Sequence, residues 1–571
     1  MYKPLNPVFV LLFSISIAIN ANTIYVATNG SNANSGTLSA PYKTITYAAS
    51  QASPGDMVLV RGGTYTNASF GNGSIWNNEN AAQIVANGTA TQYITFKPYN
   101  DEYVIIHFDG TYGLLIKNSS YLKIMGFEVK GMSESITLAD AWANWGIYKN
   151  PDDNTIHNLA TELGIDPSDP GLIGQTIPKP AFSFNEIRPA YYNGRGIVFN
   201  ASHHIEITNN MVHHCPQSGI RSEGCDYITV AQNLVYANTY YTSAGVGAIT
   251  FSSNDHIDTN NEVKMIIDRN KVYNNENRLV SWNGSKDFIT FEIDEGSGIF
   301  LTRNNDASVP QSEQYQYGYF LIRNNLCYQN GASGIVVHKT NRTIVENNTC
   351  YKNGNNNTGN PGGIGLNTVD DLTIRNNITY AKPDKFALGV VGLPANNVKV
   401  GHNIIFNENG TENVTNKMSA TYITNFVLFS GGWLESNPLL IDPYGFDFHL
   451  MVASPAVNYG SNLTSATLDI DGNNRDSDPD AGAYEYNATV SIQDIVTDQI
   501  ELYPIPTQDY LFVKGLNSKE FYIFSMEGKM MQESFKTTLV DEDTRMIDVS
   551  GLTSGLYYFK TTQGVIKFFK I

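Results

Sequence analysis

The segment RNNLCYQNGASGIVVHKTNRTIVENNTCYKNG, residues 323–354, contains its own repeat. RNNLCYQN returns as ENNTCYKN, carrying Asn325 onto Asn348 and Cys327 onto Cys350. Between the two copies lies SGIVVH, a short strand with a period-two apolar pattern. The motif recurs along the chain as TNNMVHH, AQNLVYA, DRNKVYN, RNNITYA and GHNIIFN. Its aligned asparagines are Asn210, Asn233, Asn270, Asn325, Asn348, Asn377 and Asn403. Two residues on runs a small or β-branched column of Val212, Val235, Val272, Cys327, Cys350, Thr379 and Ile405. A second strand follows in RGIVFN, SGIRSE, VGAITF, SGIFLT and GGIGLN. Units of about two dozen residues, built from short alternating strands and lacking any helical period, predict an all-β parallel β-helix. The Asn column fits an interior ladder in which amides of successive coils bond to one another.

Aligning the second strands on their apolar positions puts Ile197, Ile220, Ala248, Ile299, Ile335 and Ile364 in one inward column. Alternation then turns Arg221, Glu223, Phe251, Phe300, Thr302, His338 and Asn367 outward. A row that mixes polar, aromatic and titratable groups along a solenoid face suits a groove for a polymer.

Composition excludes several classes. Of 571 residues, 54 are acidic and 36 basic, for a net charge of −18, which opposes a general nucleic-acid binder. Hydrophobic residues reach 42%, enough for a core rather than a charged disordered chain. Residues 1–21 read as a signal peptide, with Lys3 before an apolar run too short to span a bilayer. No other segment could span one. The β-helix is expected over 22–487, a linker over 488–496 and a second domain, a small β-sandwich, over 497–571. No Cys/His spacing resembles a zinc site. Cys215 and Cys225 flank a turn and could pair, while Cys327 and Cys350 would stack as buried thiols.

The opening IYVATNGSNANSGTLSAPYKTITYAASQASPGDMVLVRGGTY is similar to the start of right-handed β-helix polysaccharide lyases and related glycosidases. That resemblance makes YKTITYAASQA a capping helix and MVLVRGGTY the first coil. It specifies the fold more strongly than the reaction, since the scaffold hosts many chemistries. At the other end, LYPIPT, SMEGKMM, LTSGLYYFK and KFFKI resemble the type IX secretion C-terminal sorting domain, with Ile505 where that pattern has Asn. The resemblance implies a Bacteroidetes protein released or held at the outer surface, with the type IX machinery as a partner.

Candidate chemistry centres on FEIDEGSGIF, where Glu292, Asp294 and Glu295 precede the strand of Phe300 and Thr302. Glu223, about two coils away, would stand ~10 Å off by the coil spacing. Paired carboxylates at about 5–9.5 Å serve glycoside hydrolysis, one as acid and one as base or nucleophile. Asp294, Glu295, Glu223 and His338 are therefore the catalytic candidates. Arg221, Glu292, Arg303, Lys339, Trp282 and Phe251 are the substrate-binding ones. Long interruptions near 132–190, 252–264 and 277–296 carry Trp142, Trp145, Tyr148, Tyr191, Tyr192 and Trp282, and loops of that length in a solenoid are usually functional. Asp469 and Asp471 form an acidic turn that could hold calcium, the one ion considered, although no cofactor is required.

The resulting expectation is a secreted, monomeric, endo-acting glycoside hydrolase on a polysaccharide. Resemblance to marine Bacteroidetes degraders points to a sulfated fucan- or carrageenan-like polymer. A polysaccharide lyase on a uronic-acid polymer is the alternative, with Lys339, Lys286 or Arg303 as base, and a non-catalytic carbohydrate-binding surface protein is a third.

Overall fold

The computed structural model describes residues 21–143, 176–178, 190–242, 244–279, 288–290, 293, 295–356, 361–390, 395–409, 414–416, 426–429, 432–486 and most of 501–570. The chain divides into two compact units, Met1–Tyr486 and Asn487–Ile571.

Three long parallel sheets build the first unit, with 12, 10 and 11 strands. One coil visits all three in turn. Arg195–Asn200 lies in the 10-stranded sheet, His203–Thr208 in the 12-stranded sheet and Met211–His213 in the 11-stranded sheet. Each strand pairs in register with its counterpart one coil on, as Ile197 does with Ile220 and Ile299 with Ile335. Side chains of the inward columns are fully buried in one continuous core. The helix Ile45–Gln51 caps the N-terminal end, its first turn closed by Thr44 Oγ1 accepting from Tyr47 N–H.

The register of the strand Gly247–Ser252 differs from the sequence alignment by one residue. Gly247 pairs with Ser297 and Ile249 with Ile299, so Ala248 occupies the glycine column of Gly219, Gly298 and Gly334 rather than the isoleucine column. A one-residue slip exchanges the faces of a strand. Phe251, expected outward, is therefore a fully buried core residue between Ser222 and Leu301, and Thr250 and Ser252 take the outward positions.

The asparagine ladder is continuous. Each Nδ2 donates to the Oδ1 of the next coil's asparagine, from Asn210 through Asn233, Asn270, Asn325, Asn348 and Asn377 to Asn403. Each backbone N–H bonds the same Oδ1, so one oxygen satisfies two buried donors per coil. A second ladder runs five residues further on, Asn238–Asn275–Asn330–Asn353. A third joins Asn254 to Asn304 and then to Thr340. Cys215 and Cys225 stand where these last two ladders begin, each donating its N–H to the first asparagine, Asn238 and Asn254. All four cysteines are free and buried, so Cys215 and Cys225 do not pair, while Cys327 and Cys350 are register neighbours as their spacing implies.

Two insertions meet as antiparallel strands, Thr176–Pro178 with Phe288–Thr290. The segment after residue 438 folds back over the outer face of the 11-stranded sheet. There Leu440, Phe448, Leu450 and Tyr484 pack on Tyr328, Tyr351 and Ile378. In the second unit, antiparallel sheets of four and three strands enclose Leu511, Val513, Ile523, Ile547, Phe559 and Phe568, a small β-sandwich. No helix among the described residues is long and apolar enough to cross a membrane.

Candidate active-site cleft

The outer face of the 10-stranded sheet carries a shallow cleft, open to solvent. One end holds Glu295, Ser297 and Ser333, the floor holds Phe300, Val336, Gly365 and Leu366, and the other end holds His338 and Asn367. Strand alternation explains the lining. Ile299, Leu301, Ile335 and Val337 point into the core, leaving Phe300, Val336 and His338 on the outer side.

His338 is the most constrained titratable group in the cleft. Its Nδ1 lies 2.9 Å from Thr302 Oγ1, on the neighbouring strand, and its ring lies parallel to that of Phe300 with centroids 6.1 Å apart. Burial and the nearby Lys339 lower its pKa to about 4, with Arg303 acting in the same direction and Asp306 opposing. The imidazole is therefore neutral at physiological pH, with its protonated form disfavoured until an anion offsets the burial. Lys339 Nζ contacts both oxygens of Asp306, at 3.0 and 2.9 Å, and Arg303 Nε lies 3.7 Å from the same carboxylate. Burial raises the Asp306 pKa, but Lys339 and the N–H and hydroxyl of Ser308 outweigh it and bring it to about 2. The guanidinium side chain of Arg303 is 65% exposed, open to an anionic ligand.

The structure separates some of the groups that the sequence put together. Glu223 aligns with Thr302 across the intervening strand, at the His338 edge of the sheet, whereas Glu295 precedes Ser297 at the opposite edge. From Ser297 to Thr302 the strand runs ~17 Å and the two coils add ~10 Å across, so Ser297 and Glu223 are roughly 20 Å apart. Glu223 cannot form a hydrolase pair with Glu295. Its carboxylate instead accepts from Arg221 Nε at 2.7 Å, pairing two expected cleft residues with each other. Phe251 lies in the core and contacts no substrate. Glu292, Asp294, Lys286, Trp145, Tyr148 and Trp282 fall outside the described residues, and only the backbone of Trp142 is described. Tyr191 and Tyr192 form an edge-to-face pair, ring centroids 5.1 Å apart, beside the strand Arg195–Asn200. Asp306, the shared partner of Lys339 and Arg303, and the cleft residues Ser297 and Ser333 are components that the sequence reading missed. The first was signalled by an acid three residues after Arg303, the serines by nothing beyond their place before a strand.

Among the described residues no three His, Cys, Asp or Glu side chains converge as a metal set. Asp469 accepts the N–H groups of Asp471, Asn473 and Glu485, and Asp471 bonds His449 Nε2 at 2.9 Å, so that turn is tied up by protein donors.

Residues 24–370 match the family described as Pel9A-like, right-handed beta helix region, and the chain belongs to that family. Residues 501–570 match the secretion system C-terminal sorting domain, which marks the chain for export or for the cell surface. Over 99 residues the chain is 37% identical to pectate lyase PEL9 of Emericella nidulans, a match covering 17% of this chain and 21% of that enzyme. It thus spans about a fifth of that relative's length. The crystal structure of pectate lyase Pel9A is 15% identical, with 82% of this chain and 96% of that one covered at a TM-score of 0.40. A lacto-N-biosidase from Eubacterium ramulus is 13% identical, with 73% and 68% covered at 0.36.

Proposed function

We propose that the protein is an exported polysaccharide lyase that cleaves a uronic-acid polymer by β-elimination in this cleft. The observation that carries the reading is His338, a neutral imidazole at the cleft end, flanked by the cations of Arg303 and Lys339. In the tautomer that donates Nδ1–H to Thr302 Oγ1, the other ring nitrogen holds the lone pair. That nitrogen takes the C5 proton of a uronate. The C5–H electrons form the C4–C5 double bond, the C4–O bond breaks, and the leaving oxygen takes a proton from water. Arg303 pairs with the uronate carboxylate and offsets the charge that builds beside C5. Lys339, bound to Asp306, adds a positive field and holds no free lone pair, which makes it the weaker choice of base. The 37% identity to a pectate lyase, over its 99 residues, supports the same class of substrate. No step is routed through calcium.

Hydrolysis of a sulfated polymer is the second reading, favoured by the place of Glu295 in the cleft. It requires a carboxylate partner for Glu295 other than Glu223.

The experiment is digestion of a panel of uronic-acid and sulfated polysaccharides, followed by absorbance near 235 nm and by reducing ends. Elimination predicts both signals, with kcat at least 100-fold lower in His338→Ala, in line with a lost general base. Reducing ends without absorbance would replace this reading by hydrolysis.

A further inference from the structure

On a different sheet from the cleft, four titratable side chains lie end to end. Val129 and Val212 point into the core, which puts Glu128 and His213 on the outer face of the 11-stranded sheet, where both are nonetheless buried. Glu128 Oε1 lies 3.0 Å from His213 Nε2, and His213 Nδ1 lies 2.6 Å from His214 Nδ1. His214 Nε2 in turn lies 3.3 Å from Glu134 Oε1. Glu134 belongs to the short turn Ser133–Ser135, and the Ser133 N–H donates to His214 O. That turn begins the excursion that rejoins the solenoid at Ala190–Asn193.

Counting protons decides the state of this chain. Each of its three contacts needs one hydrogen between the two heavy atoms. Two neutral imidazoles supply two, so with both carboxylates ionised one contact sets lone pair against lone pair. A third proton removes the conflict. It belongs in the Glu128–His213 contact, where both groups are buried and an unshared charge is costly. His214 then stays neutral, accepting at Nδ1 and donating from Nε2 to Glu134. The surroundings agree. Burial lowers the His214 pKa to about 4, with His213, Lys130 and Arg278 acting the same way and Glu134 opposing. Burial raises the Glu134 pKa, but Lys130 Nζ, 2.5 Å from Oε2, and the two histidines outweigh it and lower it. Arg278 is itself paired with Glu276 at 2.9 Å, His107 lies in register beside Lys130, and the Tyr236 ring stacks on His213 at 4.8 Å.

We propose that Glu128, His213, His214 and Glu134 form a one-proton lock, which ties the Ser133–Ser135 turn to the solenoid when loaded and releases it as the pH rises. With two protons left, the buried contacts keep them, and His214 Nε2 turns a lone pair on Glu134, which is half-exposed and already held by Lys130. Unfolded, the four groups hold only two protons above pH ~6.5. The third is bound by the locked form alone, so locking weakens about tenfold per pH unit once that proton begins to leave. The lock is independent of the reaction proposed for the cleft.

Hydrogen exchange of the full chain, read by mass spectrometry between about pH 6 and 9, tests this. Protection of the peptide 131–143, corrected for the intrinsic pH dependence of exchange, should hold at the acid end and then fall about tenfold per pH unit. Glu128→Gln gives His213 Nε2 a permanent N–H donor and should keep the peptide protected throughout. His214→Phe cuts the chain and should leave protection at least tenfold lower than wild type at the acid end. Flat protection in wild type overturns the proposal, as does a Glu128→Gln profile that falls in step with wild type. If Glu128→Gln does not fold, imidazole nitrogen NMR of the histidine-labelled wild type decides, with the His214 signals assigned by their loss in His214→Phe. A protonated Nε2 and bare Nδ1 on His214 at neutral pH supports the lock, and a protonated Nδ1 overturns it.

Discussion

Asn348 offers the most direct test of what holds the cleft in place. It is fully buried, and its coil is the one that delivers His338, which lies between the ladder rungs Asn325 and Asn348. Its Nδ2 reaches Ile322 O at 2.9 Å, Glu346 O at 3.0 Å and Asn377 Oδ1 at 2.9 Å. Its Oδ1 accepts from Asn325 N at 3.0 Å and Asn325 Nδ2 at 2.9 Å. Asn348→Ala removes all five contacts and leaves the Asn325 N–H buried without an acceptor. Two amide hydrogens cannot fully serve three acceptors, so the contacts amount to roughly three effective bonds at ~1 kcal/mol each, and the orphaned N–H adds ~1–3 kcal/mol. The expected loss is about 4–6 kcal/mol. Guanidinium unfolding followed by far-UV circular dichroism measures it, with Asn34→Ala as control. Asn34 is exposed and its side chain donates to Pro41 O at 2.9 Å, a surface contact whose loss should cost less than ~0.5 kcal/mol. Coils couple to nearest neighbours, so the damage should centre on the coils between Asn325 and Asn377 and lower the activity of the cleft as well. A loss no larger than that of the control would refute the ladder as a source of stability.

The remaining predictions concern one titration and one face of a strand. His338 has a folded-state pKa of about 4 against an ordinary value near 6.5. Its contribution is intact above pH ~6.5 and is lost as the pH falls towards 4, because the unfolded chain takes up the proton first. Acid denaturation curves of His338→Gln should be flatter than wild type across that window by up to ~1.4 kcal/mol per pH unit, and an unchanged slope would show that the imidazole is not desolvated. Phe251→Ala should cost about 3–5 kcal/mol of stability through a core cavity, with KM close to wild type in the folded fraction. A raised KM at unchanged stability would restore Phe251 to the groove.

The fold was legible because its determinants repeat. One asparagine per coil, followed two residues later by a small apolar side chain, marks the ladder and its strand in seven coils. The second ladder was visible in the same strings, as the N-x4-N spacing of NLVYAN, NKVYNN, NLCYQN and NTCYKN. The reading stopped at the first asparagine because either alone accounts for the period. Residue order failed at 247–252, where VGAITF offers two glycine-like small residues and the alignment chose Gly247. The structure uses Ala248 for that column, and the consequence fell on Phe251, one residue from being correct. The cleft was legible only in part. His338, Arg303, Lys339 and Glu295 were selected as candidates, but distance along a strand is invisible in a column alignment. That is why Glu223 and Glu295, two coils apart, were placed together although they lie at opposite edges of the sheet.

The position just after each strand of the 10-stranded sheet explains why the charges collect where they do. Ala201, Gly224, Ser253, Arg303, Lys339 and Thr368 all adopt positive φ there, as the chain turns towards the next sheet. Glycine takes this conformation freely, whereas a residue with a Cβ is disfavoured by roughly 1–2 kcal/mol. Several coils meet the demand with a small residue, and the coil of His338 and the one before it meet it with Lys339 and Arg303, at φ 44° and 57°. Asp306 receives both, and the buried Tyr315 fixes the loop that follows by donating to Asp226 Oδ1 at 2.6 Å. The same two coils carry the neutral imidazole. Position and charge therefore meet beside His338, the end of the cleft to which the proposed elimination assigns the uronate.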